Sequence, residues 1–227
     1  MLNNQARYGA VAMWLHWLIA AAIIYMIYLG LHMTDRANFA ATPEAINQQF
    51  FEYQLHKSIG LTILGLSMVR LLWRLVNVQP ELPDNMNWFE RLGAHMSHVG
   101  FYAIMLGLPL TGWIMVSVSP LEIPTLFYAE MCPVATRNGI GWLLACDTTY
   151  IEVPHLPAME WPVIRDFANK EEAEKALKFV HKWLAYGTIG LLALHVSAAM
   201  YHALIKNDDV LARMLPFTRV GKDREPL

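Results

Sequence analysis

The 227 residues are 56% hydrophobic and 16% charged, with a formal net charge of −2 and a mean hydropathy of +0.30. That composition leaves little for a soluble domain and predicts a single membrane domain over residues 1–227. The near-neutral charge excludes the basic footprint of a nucleic-acid binder.

The first apolar run spans about residues 8–33, with no formal charge between Arg7 and Asp35, which is long enough for a helix to cross a bilayer. Arg7 ahead of it and the alanines Ala20 to Ala22 give it a superficial likeness to a secretory leader. The run is too long for a leader core, and cleavage at those alanines would remove His16, so a retained helix is predicted. His16 sits in Trp14-Leu15-His16-Trp17, whose tryptophans suit a membrane interface. Gly9, Ala12 and Ala20 share its helical face, which leaves room for a flat ligand or serves plain helix packing. His32, at the far end of the run, reads as a structural interfacial histidine.

A polar connection over about residues 34–51 precedes a second span over about residues 55–75. Its uncharged centre, Ser58 to Val69, is too short alone, so Lys57, Arg70 and Arg74 must snorkel or find partners. Gly60, Ile63, Ser67, Arg70 and Arg74 all fall within roughly 40° of the His56 direction, and Arg70 lies about 21 Å from His56 along the axis. One face thus offers an imidazole at one membrane surface and guanidiniums at the other. Guanidiniums pair with carboxylates such as haem propionates, or serve only as anchors beside the membrane.

Pro80 and Pro83 mark a short loop. The third span, about residues 92–118, has no formal charge between Arg91 and Glu122. His95 and His98, three apart, are neighbours on one face near its start, suited to a metal, a quinone oxygen or a helix cap. A long polar segment over about residues 119–175 holds Cys132 and Cys146. No Cys-X-X-Cys-His occurs, which excludes covalent c-type haem attachment. A disulfide between the two cysteines is expected if this segment faces an oxidising compartment.

The last span, about residues 176–205, has no charged residue between Lys182 and Lys206. The step from His181 to His195 returns to within roughly 40° and rises about 21 Å, so both imidazoles share a face, one near each surface. Ala185, Thr188 and Leu192 lie between them on that face. Ligand-type side chains in hydrocarbon are functional by default, and two planar cofactors stacked across a membrane would need this spacing. His202 follows His195 by seven residues, about 10 Å nearer the end, on nearly the same face.

Four spans put both termini on one side. Arg7, Arg70, Arg74, Arg91, Lys206, Arg213, Arg219, Lys222 and Arg224 fall there, against Arg36 and Lys57 in the first loop. The termini are therefore expected in the cytoplasm and the cysteine segment outside. That orientation pairs His16 with His195 and His56 with His181, at two depths. Ligation by two histidines leaves an iron no free position, which suits electron transfer rather than oxygen binding.

The sequence resembles the bacterial cytochrome b561 family over nearly its whole length. The likeness is carried by Arg7-Tyr8-Gly9 leading to His16-Trp17, by His56-Lys57-Ser58-Ile59-Gly60 with Arg70-Leu71-Leu72-Trp73-Arg74-Leu75, by His98, Tyr102 and Leu108-Pro109-Leu110-Thr111-Gly112-Trp113, and by His195 and His202 with Asp209-Val210-Leu211-Ala212-Arg213-Met214-Leu215-Pro216. The resemblance implies an all-α four-helix bundle in the inner membrane, to which this chain adds a long outer loop between helices 3 and 4. It implies two haem b groups with axial ligands on the first, second and fourth helices, and electron exchange with ubiquinone. In some members it implies oxidation of superoxide at the outer surface. The long third loop with its two cysteines departs from the pattern and sits where an outer donor would act. His98, His202, Lys57, Arg70 and Arg74 complete the expected cofactor and quinone contacts. The rival expectations are a self-contained superoxide:ubiquinone oxidoreductase, the membrane anchor of a larger dehydrogenase or hydrogenase with an outer redox protein as partner, and a histidine-lined metal carrier.

Overall fold

A computed structural model describes residues 2–5, 7–35, 42–83, 85–118, 133–134, 141–142 and 169–218. Its long elements are α1 (Ala10–Thr34), α2 (Pro43–Val76), α3 (Trp88–Val118) and α4 (Lys170–Tyr201). All four, with α4 continued to Lys206, are long and apolar enough to cross a membrane. The all-α expectation therefore holds, with one addition. Pro133–Val134 (β1) and Gly141–Trp142 (β2) pair antiparallel, Pro133 opposite Trp142. Cys132 and Cys146 lie outside the described residues.

α1 nearly matches its expected span, whereas α2, α3 and α4 start earlier than expected because polar side chains extend them beyond their apolar stretches. α2 starts midway through the expected polar connection, about three turns ahead of the expected span, and runs 34 residues. Thr42 caps it, its hydroxyl accepting from the Ala45 N–H at 3.3 Å, with Pro43 in the first turn where no N–H is needed. α3 opens on a reciprocal cap. Asn87 Oδ1 accepts from the Glu90 N–H at 3.0 Å and Glu90 Oε2 from the Asn87 N–H at 2.9 Å. α4 opens on Asn169, whose Oδ1 accepts from the Glu172 N–H at 2.9 Å. It closes in a π turn, His202–Lys206, ended by Asn207 in the left-handed region at φ 52°.

The chain forms two compact units, each built from one stretch of every helix. The terminal unit comprises Met1–Ala21, Leu64–Gly107 and Leu184–Leu227, and the loop unit Ala22–Ile63 and Leu108–Trp183. In the terminal unit Arg7 donates to the carbonyls of Thr218 at 2.7 Å and Leu215 at 2.9 Å, and the Trp17 indole to that of Met214 at 2.8 Å. In the loop unit Val118 and Ala173 are fully buried, with Ile114 and Leu177 packed against them. Trp14, Leu18, Tyr28, Leu72, Val99 and Leu194 point outward. In hydrocarbon that is the apolar surface a membrane helix needs, because lipid replaces water as its solvent.

Candidate functional site

Each unit brings two of the expected histidines together. In the loop unit the rings of His56 (α2) and His181 (α4) stand 6.3 Å apart between centres, at 64° between planes. In the terminal unit His16 (α1) and His195 (α4) stand 6.3 Å apart at 60°. Two imidazoles on opposite sides of one metal, with nitrogen–metal bonds of roughly 2 Å, have centres about 6 Å apart. The pairs expected from periodicity and orientation together are brought face to face.

The surroundings of these rings fit a flat, metal-centred group. Gly30 faces His56, and a Cβ placed there would lie 3.4 Å from the ring's Cε1. Gly112 faces His181 more closely, with the corresponding distance 3.2 Å. His56 Nδ1 is buried and has no hydrogen-bond partner among the described residues. His181 Nδ1 lies 3.0 Å from the Thr111 hydroxyl. Rings left free on one nitrogen, with hydrogen atoms rather than side chains beside them, suit a broad ligand better than a packed core.

His98 complicates the terminal unit. Its ring stands 6.2 Å from that of His195, at 78°, so distance alone does not separate it from His16. Its Nδ1 donates to the Ala94 carbonyl at 2.6 Å, which leaves Nε2 free to accept. Phe101 stacks edge-on against His195 at 5.1 Å. His95 is exposed and donates to the Arg91 carbonyl at 2.7 Å, a contact within its own helix. Among the described residues no group of three or more His, Cys, Asp or Glu is placed to hold a metal ion without help from another ligand.

The cationic residues of α2 divide between the units. Lys57 is half-buried beside His56 in the loop unit. Arg70 and Arg74 line a terminal-unit cavity of about 20 Å³ with Tyr8, Trp73, His98 and Tyr102. Arg70 and Tyr102 share this cavity, and Arg74 donates to Gln79 Oε1 at 3.0 Å. Two guanidiniums and two phenols around one space fit a carboxylate, and the open volume holds about one water. His202 is buried, its Nδ1 2.5 Å from Asp208 Oδ2. His32 pairs in the same way with the buried Glu52, at 2.8 Å. Both carboxylate partners, the two ring-facing glycines and Thr111 lie on other helices or past a turn. No periodicity in the sequence points to them.

The family model for prokaryotic cytochrome b561 matches residues 7–217. The chain belongs to the prokaryotic cytochrome b561 family. It is similar to cytochrome b561 homolog 2 of Escherichia coli K12, 25% identical over 94% of this chain and 93% of that protein. It is also similar to the probable superoxide oxidase CybB of Yersinia pestis, 24% identical over 94% of this chain and 98% of that one. Membership of the cytochrome b561 family implies binding of haem b and electron transfer in a bacterial multi-pass membrane protein.

Proposed function

We propose that this cytochrome b561 is a di-haem electron carrier between a donor outside the cytoplasmic membrane and the quinone pool, with both termini in the cytoplasm. His56 and His181 would hold one haem, and His16 and His195 the other. The observation that carries the reading is the equal 6.3 Å separation of the two ring pairs, one in each unit. Haem held there would supply a one-electron iron couple, and ligation by both histidines would close it to oxygen. The chain's own residues then orient it. Arg70 and Arg74, which line one cavity with Tyr102, would take propionates, and Lys57 is the cation beside His56. A quinone headgroup needs hydrogen bonds and, once reduced, protons. His98 beside Arg74, and His202 with Asp208 on its far nitrogen, are the terminal-unit groups suited to both.

A panel of alanine variants in the purified protein, with haem counted per chain by reduced-minus-oxidised spectra, tests the assignment. His16→Ala and His195→Ala should lose one haem and largely spare the other, and His56→Ala and His181→Ala should do the reverse. His98→Ala and His202→Ala should keep both haems and slow their reoxidation by a soluble quinone. If His98→Ala removes a haem and His16→Ala does not, His98 is the partner of His195.

The similarity to a probable superoxide oxidase supports a narrower second reading, a superoxide:ubiquinone oxidoreductase acting alone. Superoxide and a soluble quinone added to the same purified protein separate the two readings. Haem reduction and quinol formation without any partner protein favour the stand-alone enzyme, and an inert preparation favours a carrier or anchor that needs a docked donor.

A further inference from the structure

The motif Leu108-Pro109-Leu110-Thr111-Gly112 on α3 carries no proposed ligand, yet it meets one. The Thr111 hydroxyl lies 2.7 Å from the Leu108 carbonyl and 3.0 Å from His181 Nδ1. A hydroxyl has one proton to donate, and a carbonyl oxygen only accepts. The Thr111 proton therefore goes to Leu108, and its oxygen is left to accept from the ring. With both contacts made as hydrogen bonds, the His181 proton sits on Nδ1. The lone pair is thereby left on Nε2, the nitrogen a metal would take.

The next residue fixes where the ring sits. A Cβ on Gly112 would lie 3.2 Å from His181 Cε1 and 3.6 Å from Nδ1. The ring therefore rests close against the α3 backbone, where a larger residue would push it by a few tenths of an ångström. Its partner differs. His56 Nδ1 is buried without a hydrogen-bond partner among the described residues, so the two imidazoles of this pair have unlike second contacts.

We propose that Thr111 is a positioning residue for His181: it holds the Nδ1–H tautomer and ring plane, strengthens Nε2 as a donor, and so lowers the reduction potential of the haem held by His56 and His181. The inference rests on the ligand reading of that pair. An acceptor on the far N–H of a ligating histidine raises the basicity of the ligand, and a more basic ligand favours the ferric over the ferrous state.

The test uses the full-length haem-loaded protein in three variants, Thr111→Val, Thr111→Ser and His181→Ala. Haem is counted per chain, and each haem's midpoint is read by spectroelectrochemical titration. The His181→Ala difference spectrum marks which haem belongs to the pair. Thr111→Val should keep both haems and shift that haem's midpoint upward, with the other unmoved and Thr111→Ser restoring the original value. Loss of that haem in Thr111→Val with recovery in Thr111→Ser supports the same role. Unchanged midpoints, a downward shift, a shift shared equally by both haems, or equal haem loss in Thr111→Ser would overturn the role of the hydroxyl while leaving the ligands in place. Retention of both haems in His181→Ala would instead overturn the ligand reading.

Discussion

Gly30 and Gly112 face the two loop-unit histidines at different closeness, and that difference makes a graded test. A methyl on Gly30 would lie 3.4 Å from the His56 ring, an ordinary contact, whereas on Gly112 it would lie 3.2 Å from the His181 ring. The Gly112 neighbour must move, and it is a buried imidazole already held by Thr111. We expect Gly112→Ala to lower occupancy of one haem severalfold and Gly30→Ala to leave it near normal, measured as haem-to-protein ratio; equal retention in both would remove steric fit from the account. At this scale the sequence was legible where a single helix sets the relation. His181 and His195 share a face because periodicity is local, and the four histidines meet in the pairs that periodicity and orientation predict. Thr111 on His181, Asp208 on His202 and Glu52 on His32 are contacts between helices or past a turn. One strand of sequence carries no information on them.

The helices were legible in their interiors and not at their starts. Hydropathy marks the stretch that sits in lipid, but a helix continues as long as its terminal N–H groups find acceptors. Thr42, Asn87 and Asn169 supply those acceptors outside the apolar runs. Glu90 works twice, capping Asn87 and pairing with Lys206 Nζ at 2.7 Å within the terminal unit. Asn87→Ala should remove half of the reciprocal cap and cost about 1 kcal/mol, read as a lowered melting temperature of the purified protein in detergent. Asn87→Ser should recover most of the loss, since serine caps as well as asparagine. No loss in the alanine variant would mean that packing of the following turns, and not the cap, fixes where α3 begins. The π turn at His202–Lys206 was likewise invisible beforehand. Its motif reads as ordinary helix, and only the buried His202–Asp208 contact shows why the chain turns there.

Four helices are long and apolar enough to cross a membrane, and if all four cross, both ends of the chain lie on one side. The excess of arginine and lysine near those ends is the signal that assigns the side. The division into two units, each with its own histidine pair, had no counterpart in hydropathy, because every helix contributes to both. Cys132 and Cys146 give a test of orientation and bridge together. In intact cells a membrane-impermeant thiol reagent should label neither until a reductant is added, and should then label both. Labelling before reduction would sink the bridge, and labelling only after lysis would place the loop inside.

The shortest span has a consequence for the membrane this protein can occupy. α1 has 25 residues against 34, 31 and 32 for the others, which makes it about 38 Å long. The longer helices start on polar turns that can slide between water and headgroups as the bilayer thickens or thins. α1 ends almost where its apolar sequence ends, and has little such slack around a hydrocarbon layer of about 30 Å. Hydrophobic mismatch is therefore felt first by α1. In bilayers of graded acyl length, strain would reach His16 before any other histidine of the two pairs.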